Sequence, residues 1–327
     1  MEANQIAQLV QDEIRKAVTD STYTFSPSSR SIYSPENLDP VIKTVVPTAT
    51  PVRSFLPRVP GMGEAASFNK LTSRLDNQAG GTGSSVGFAD AGQPNQTTQS
   101  YTFVSYPYKN LGRDVEIGRQ QIASNRGGNL EDVRAREELI KTTEVLLGEE
   151  VMTLTGDAAL YSNEYSGFSK LITTNSGSAG LLTASGVSSY AQTLFQNGAD
   201  LVSHLVLNPR QNRALSDQLE GSGTIQRIVI DNQGAATGGQ HLANIVDGNT
   251  GNLIKVVTSR YALSWAFLLS VRSAAGENWI EMEDLEAMSI YDVPTANHSI
   301  QSRVYESTVL KVIGEPYQYK VGGLATS

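Results

Sequence analysis

The chain has 327 residues, with 25 lysines and arginines against 33 aspartates and glutamates, and a net charge of −8. Because affinity for nucleic-acid phosphates comes mainly from lysine and arginine, this balance argues against a dedicated nucleic-acid-binding protein. The absence of cysteine excludes disulfides, thiolate metal sites and cysteine nucleophiles. The start, MEANQIAQLVQDEIRK, lacks both parts of a signal peptide, and no apolar run is long enough to span a bilayer. We therefore expect a soluble cytoplasmic protein.

The N-terminal part of the chain predicts little packed structure. Residues 4–18 have the apolar spacing of a short amphipathic helix. Residues 21–40 are polar and interrupted by prolines, which favours an extended arm. The prolines that continue to residue 60 exclude a long helix, and a short helix is predicted at 37–46. Such an arm has little to pack on unless another surface receives it.

Two strand-like segments flank an unusual stretch, Asp76–Ser100. The segments are AASFNKLTSRL at 65–75 and SYTFVSYPYKNLGRDVEIGRQQI at 100–122, and they predict a β-hairpin. The stretch between them contains five glycines, no lysine or arginine, and few apolar residues. A two-stranded ribbon is only marginally stable in water. The hairpin must therefore gain its stability from its own domain or from a neighbouring molecule.

A long helix follows the hairpin. Asn129 can cap its first turn, Gly156 suits its end, and the span between them corresponds to roughly 40 Å. Its basic residues alternate with glutamates at i,i+3 and i,i+4 spacing, which indicates ion pairs along the helix. The predicted buried stripe consists of Leu130, Val133, Ile140, Leu147, Val151 and Leu154, widened by Leu139 and Leu146.

The second half of the chain alternates helices and strands. We predict a helix at 188–203, a strand at HLVLN, and a helix at 210–220 that begins with the cap Asn208-Pro209. Further strands are predicted at 224–231, 252–263, 265–271 and 279–283, and the C-terminal region is rich in strands. The fold class is α+β in two subdomains.

The motifs of catalysis and nucleotide binding are missing. The segment GGTGSS at 80–85 lacks the lysine of a phosphate-binding loop, and the sequence contains no GxSxG motif. The three histidines, at 204, 241 and 298, lack metal-site spacing and are interpreted as surface or interface residues. The carboxylates in EMEDLE, residues 281–286, are interpreted as a solvated face. We predict no catalytic, cofactor-binding or metal-binding residues.

The order of an arm, a projecting hairpin, a long helix and a compact α/β region resembles the major capsid proteins of tailed bacteriophages. Their Hong Kong 97-type fold is shared with encapsulins. The segments LTGDAALYSNEYSGFSKLI at 154–172 and HLVLNPRQNRAL at 204–215 carry the resemblance locally, as do the late strands. The resemblance implies an N-terminal arm at 1–59, an extended E-loop hairpin at 60–112, a peripheral domain at 113–187 with a spine helix at 130–155, an axial domain at 188–264, and return strands at 265–327.

The resemblance implies self-assembly into an icosahedral shell of pentamers and hexamers that encloses double-stranded DNA. It also implies a non-enzymatic virion protein, assembled in the host cytoplasm without cofactor or membrane, with a portal and possibly scaffolding or decoration proteins as partners. The hairpin and arm would lie on adjacent subunits. The expected subunit-interface residues are Phe68, Lys70, Arg74, Tyr101, Phe103, Tyr106 and Arg113.

Three alternatives stay open from the sequence. An encapsulin shell has the same fold but encloses cargo enzymes. A soluble enzyme could use residues 76–100 as a glycine-rich lid. Another phage structural protein, such as a tail tube subunit, also extends hairpins onto neighbours, although the long helix argues against it. Some members of the family that the chain resembles cross-link a lysine of the E-loop to an asparagine on a neighbouring subunit. Here Lys70 lies on the hairpin, but no motif identifies an asparagine partner or a glutamate base.

Overall fold

The computed structural model describes residues 49–73, 90, 92, 100–120, 123, 133–221, 242–247, 250–295 and 298–326. All of them belong to one compact unit, residues 46–126 and 133–327. Several predictions lie outside the described residues: the helices at 4–18 and 37–46, most of the hairpin tip, the cap Asn129, and the strand at 224–231. No described helix combines the length and apolar character needed to cross a membrane.

The described elements confirm an α+β fold. The helices are α1 (Pro51–Phe55), α2 (Val133–Thr155), α3 (Phe168–Leu171), α4 (Ala184–Gln196) and α5 (Pro209–Gly221). The strands are β1 (Arg58–Pro60), β2 (Ala65–Ser73), β3 (Ser100–Pro107), β4 (Lys109–Gly118), β5 (Ser176–Ser178), β6 (His204–Leu207), β7 (Asn244–Val246), β8 (Leu253–Thr258), β9 (Ala266–Leu269), β10 (Ile280–Val293), β11 (Ser299–Val312) and β12 (Tyr319–Gly322).

A four-stranded sheet with the order β1-β10-β11-β4 receives the long helix. Strands β10 and β11 form a long antiparallel pair, β4 pairs antiparallel with β11, and the short β1 pairs parallel with β10 at the edge. Helix α2 packs against β4 and β11. The strand-like segment predicted at 100–122 is divided at Tyr108, because β3 pairs with β2 whereas β4 joins this sheet.

A six-stranded sheet with the order β5-β12-β9-β6-β8-β7 separates two hydrophobic cores. In β9, Phe267 and Leu269 belong to the core that contains α2, while Ala266 and Leu268 belong to the core that contains α4 and α5. Successive side chains of a strand point to opposite faces, so both faces of β9 are covered. This explains why β9 is an uninterrupted apolar run, with no alternation of polar residues.

The structure confirms the predicted long helix from Val133 onward but corrects its buried face. Val151 and Leu139, which the apolar stripe included, are exposed. The buried residues of α2 are Val145, Glu149, Glu150, Thr153 and Leu154. The buried face therefore carries two carboxylates, and the partners of these carboxylates lie far away in sequence.

The two shorter helices differ in how well their ends were predicted. Helix α5 begins as predicted, since the backbone N–H of Gln211 donates to the side-chain oxygen of Asn208 over 2.9 Å. Helix α4 begins before the predicted residue 188, because the side chain of Thr183 accepts from Gly186 N–H and caps its first turn. It ends before residue 203, because Gly198 has a φ of +100°.

The chain returns tightly after α2. The N–H of Gly167 donates to the carbonyl of Gly156 over 3.0 Å, so two backbone segments lie in direct contact. A β-carbon on Gly167 would collide with the carbonyl oxygen of Met152 and would lie 2.8 Å from that of Thr153. Both obstacles are main-chain atoms, which cannot move as a side chain can. Glycine is therefore required at position 167 by packing.

We expect Gly167→Ala to lower the free energy of unfolding by about 1–3 kcal/mol, the usual cost of forcing extra volume into a packed site. Gly148→Ala is the matched control, because a β-carbon on Gly148 within α2 would meet no neighbouring atom. There the loss of glycine flexibility should raise the free energy of unfolding by about 0.5–1 kcal/mol. Urea unfolding of both variants measures the two effects. Equal shifts in the two variants would contradict the packing assignment.

Candidate functional site

Strands β2 and β3 form a two-stranded sheet that joins neither of the larger sheets. Their antiparallel register pairs Ala66 with Tyr106, Phe68 with Val104, and Leu71 with Tyr101. This confirms the predicted hairpin arms. Residues directly opposite each other share a face, so the register divides the side chains into an outer and an inner face.

The outer face of the hairpin carries three exposed apolar side chains toward its distal end. Leu71 is 40% exposed, Tyr101 63% and Phe103 67%. Tyr101 and Phe103 were both predicted as interface residues, and the register places them on the same face as Leu71. Single exposed apolar residues are common on protein surfaces. Three that lie close together on one face of a two-stranded ribbon indicate a contact surface.

The inner face of the hairpin turns toward the body at its base. Ala66 is buried, and Tyr106 packs against the core that contains α2. The rings of Phe68 and Tyr106 lie 6.2 Å apart between centroids. Lys70 lies on the same face and is half-buried. Of the predicted interface residues, Phe68, Lys70 and Tyr106 thus share this inner face.

The remaining two predicted interface residues lie elsewhere. Arg74 is outside the described residues. Arg113 lies on β4 in the four-stranded sheet, where its guanidinium is exposed and 3.8 Å from the carboxylate of Glu144. The interface role of the whole predicted set stays a prediction.

A charged cluster lies at the base of the hairpin. The ammonium of Lys311 is 2.9 Å from Glu281 Oε1 and 3.0 Å from Glu283 Oε2. It also lies 5.5 Å from the centroid of the Phe68 ring, a cation–π distance. Burial lowers the pKa of Lys311, but the two carboxylates outweigh it and the net shift is upward. Lys311 therefore remains charged and connects the four-stranded sheet to β2.

Tyr108 connects the same cluster to the end of β3. Its hydroxyl donates a hydrogen bond to Glu283. Burial, followed by the bond to this carboxylate, raises the pKa of Tyr108 to about 12. Gly61 lies directly beneath the Tyr108 hydroxyl, and a side chain there would collide with it. Both attachment points of the hairpin therefore meet at one place on β10.

These contacts correct the interpretation of EMEDLE as a solvated face. Glu281 is buried, and Glu283 and Asp284 are half-buried and paired with cations on other elements. Only Glu286 of the four carboxylates is exposed. The alternation with Met282 correctly indicated a strand. The partners, Lys311 and Arg58, are brought to it by β11 and β1.

A second charged cluster joins the N-terminal segment to the body. The guanidinium of Arg58 contacts Glu149 on α2, Glu306 on β11 and Asp284 on β10. Arg53 Nε lies 2.5 Å from Glu149 Oε2. The carboxylates of Glu149 and Glu306 are almost completely buried, with side-chain exposures of 1% and 0%. One arginine therefore holds three structural elements together.

The surroundings of this cluster raise the pKa of both Glu306 and Arg58. Burial raises the pKa of Glu306, and the nearby charge of Glu149 raises it further. Burial alone would lower the pKa of Arg58, but Glu149 and Glu306 raise it overall. Glu306 Oε2 has no hydrogen-bond partner among the described residues. The two glutamates thus depend on Arg58 and Arg53 for compensation.

Glu150 anchors helix α1. Its carboxylate accepts hydrogen bonds from the N–H groups of Val52 and Arg53 at 3.0–3.1 Å, and from the Ser259 hydroxyl at 3.1 Å. Burial raises the pKa of Glu150 despite these bonds. The carboxylate satisfies the first N–H groups of a short helix and links it to the segment after β8.

Nothing in the described part of the chain forms a metal-binding cluster of His, Asp and Glu. The ring of His204, interpreted from the sequence as a surface or interface residue, is half-buried and stacks on Phe55 with centroids 4.2 Å apart. Burial and the charge of Lys255 lower the pKa of His204 to about 4. His298 is exposed, and His241 lies outside the described residues.

Sequence reasoning missed the residues of both charged clusters. One signal was present: Glu149 and Glu150 interrupt the apolar run VLLGEEVMTL near the end of a helix. Two adjacent carboxylates within such a run indicate buried acids that need cations. The sequence does not identify those cations, because Arg53 and Arg58 are more than 90 residues away.

We expect Arg58→Met to lower the free energy of unfolding by about 3–5 kcal/mol, because it removes the arginine that contacts all three carboxylates and leaves only Arg53 beside the buried Glu149 and Glu306. Arg303→Met is the matched control. Arg303 pairs with Asp114 on the same sheet, but the side chains are 41% and 38% exposed. Breaking such an exposed pair should cost at most about 1 kcal/mol. Urea unfolding gives both values. Similar losses of unfolding free energy in the two variants would contradict a larger contribution of the buried cluster.

We expect the stability of the chain to fall as the pH falls from 6.5 toward 4, in part through His204. Above pH 6.5 the ring is neutral in the folded and unfolded chain, whereas between these values only the unfolded chain takes up the proton. One such group contributes a slope of at most about 1.4 kcal/mol per pH unit. His204→Phe keeps the stacking on Phe55 and should flatten the curve. Identical pH dependence of urea unfolding in both proteins would refute this assignment.

The structure of this chain is similar to solved structures of capsid and encapsulin shells. Over 93% of this chain and 100% of the other, the chain resembles the capsid protein of a native GTA particle, with a TM-score of 0.63 at 11% identity. It also resembles a chain of Microbacterium phage Oxtober96, with a TM-score of 0.60 at 11% identity over 89% of this chain and 96% of the other. The SrpI encapsulin of Synechococcus elongatus PCC 7942 gives a TM-score of 0.59 at 12% identity over 88% and 93%.

These similarities, at identities of 11–12%, confirm the Hong Kong 97-type capsid fold. No curated protein sequence matches the chain significantly. The family itself follows from the sequence model described as SU10 major capsid protein, which matches residues 17–270 and so most of the chain. With the fold and the sequence in agreement, this chain belongs to the SU10 major capsid protein family and is a major capsid protein of a phage.

Proposed function

We propose that the chain assembles into an icosahedral shell of pentamers and hexamers that encloses the double-stranded DNA of a tailed phage. Membership of a major capsid protein family supports assembly of copies of this chain into a virion shell. The β2–β3 hairpin completes itself on a neighbouring copy and supplies one of the assembly contacts.

One observation carries the role of the hairpin: its outer face presents Leu71, Tyr101 and Phe103 to solvent on a ribbon of only two strands. Such a ribbon is marginal in water without a packing partner. Its own body covers the inner face at the base but leaves the outer face open. A second copy of the chain, present at high local concentration in a shell, is the partner that an assembling protein always has.

Each contact of this kind can be weak. In a closed symmetric assembly the same contact recurs between many pairs of neighbouring subunits. The stability of the shell is therefore the sum of many weak contacts. An exposed strand edge is normally an aggregation hazard. In a shell the same main-chain groups can pair with a neighbouring subunit in one defined arrangement.

The charge of the chain fits an enclosing wall better than a DNA-gripping surface. A net charge of −8 offers little attraction to phosphate, so we propose that the shell encloses DNA without sequence-specific binding. Assembly takes place in the host cytoplasm, with a portal and possibly scaffolding or decoration proteins as partners. The chain has no catalytic role in this proposal.

The similarity to an encapsulin supports a second candidate, a shell around cargo proteins. The family match favours the phage capsid. Purified particles distinguish the two, since one kind contains DNA and the other contains protein.

We expect the double variant Tyr101→Ser, Phe103→Ser to fold as a subunit and to fail in shell assembly. Both side chains are largely exposed, so their loss should change the free energy of unfolding of the subunit by less than about 0.5 kcal/mol. Sedimentation and electron microscopy would show a loss of closed shells of at least tenfold. The control is Thr102→Ser, which alters an exposed residue on the opposite face of the same strand. Normal shells from the double variant would contradict the proposed contact.

A further inference from the structure

The covalent connections between the hairpin and the body are few. Residues 61–64 lead from β1 into β2, and Tyr108 alone separates β3 from β4. In the first connection Gly63 has a φ of +79° with no atom near its missing β-carbon, and Met62 is 85% exposed. The first connection therefore restrains the direction of the hairpin only weakly.

Besides the packing of Ala66 and Tyr106 on the core, three contacts at the base restrain the hairpin. The N–H of Gly61 donates to the carbonyl of Asp284 over 2.8 Å. The Tyr108 hydroxyl donates to Glu283, and Lys311 reaches both Glu283 and the ring of Phe68. Lys311 thus contacts the first strand of the hairpin through Phe68 and is linked by Glu283 to Tyr108, which follows the second strand.

The Lys311 contact is strong for a structural reason. Strands β10 and β11 place Lys311 directly opposite Glu281, and Glu283 lies two residues further on the same face of β10. All three side chains are nearly buried, with exposures of 11–12%. Water competes little for the ammonium, so its position is well defined. The hairpin is held by a rigid part of the body.

The direction matters because the hairpin acts as a lever. A nine-residue strand such as β2 extends for about 30 Å. A rotation of about 10° at its base would displace its far end by roughly 5 Å, more than the reach of about 4–4.5 Å within which apolar side chains make contact. A small loss of restraint at the base would therefore remove the distal contacts.

We propose that Lys311 and Tyr108 are positioning residues that set the angle between the hairpin and the four-stranded sheet. They thereby determine where the outer face, with Tyr101 and Phe103, meets a second copy of this chain. The angle is a property of the single subunit; its consequence for assembly rests on the function proposed above.

Spin labels can measure the angle, because the chain contains no cysteine that would compete for the label. One label is attached through Thr102→Cys on β3 and the other through Ala287→Cys on β10, both exposed positions. A second pair, Ala274→Cys with Ala287→Cys, lies entirely on the body and reports on the fold. Pulsed electron paramagnetic resonance of the unassembled full-length chain gives the distance distribution of each pair.

We expect Tyr108→Phe to broaden the hairpin–body distribution about 1.5-fold and Lys311→Met to broaden it at least twofold, with the body pair unchanged. Lys311→Arg, which keeps the cation, should restore the narrow distribution. The matched control is Tyr305→Phe, which removes a hydroxyl bound to Asn110 on the same sheet. It should leave both distributions unaltered.

Unchanged distributions in both Tyr108→Phe and Lys311→Met would overturn the positioning role. Should Lys311→Met also disturb the body pair, the comparison of Tyr108→Phe with Tyr305→Phe decides the matter alone. Electron microscopy of the same variants separates the two proposals. A broadened angle with normal shells would retain the positioning role and contradict the assembly role of the hairpin, whereas a broadened angle with aberrant or absent shells supports both.

Discussion

The buried ion cluster around Arg58 is the interaction on which the described structure depends. Glu149 of α2 and Glu306 of β11 are withdrawn from water, and desolvation of two carboxylates is costly unless a cation is placed between them. Arg58 meets that requirement only when β1 lies at the edge of the sheet beside β10. The short N-terminal segment is therefore fixed to the long helix and to the sheet by charge as well as by the buried side chains of Val52 and Leu56.

The hairpin depends on the same strand. Glu283 and Asp284 are neighbours on β10 whose side chains point to opposite faces. Asp284 binds Arg58, whereas Glu283 binds Lys311 and Tyr108. The segment that holds the N-terminal strand thus also holds the base of the hairpin. The hairpin, which has little core of its own, is therefore oriented by β10, a strand held by ion pairs on both faces. A repeated contact between identical subunits requires such a fixed orientation.

The outcome of each sequence-based prediction follows from the range of the interactions involved. The start of α5 at Asn208-Pro209 and the arms of the hairpin depend on near neighbours, and the structure confirms them. The limits of α4 were wrong because Thr183 and Gly198 were not recognised as its ends. The solvated reading of the EMEDLE carboxylates was wrong for a different reason: their cations come from other strands, Lys311 from the next strand β11 and Arg58 from β1, more than 200 residues earlier.

The sequence by itself determined the elements, their order and, through that order, the capsid family, because periodicity, capping residues and turn residues act over a few positions. It also showed that the hairpin lacks enough apolar residues for a core. Only the tertiary structure decided which face of α2 is buried, which hairpin residues share the open face, and which charges meet at its base. Those depend on strand register and on pairs separated by 28 to more than 90 residues. Such pairing is set by the packing of the whole chain, and no local pattern records it.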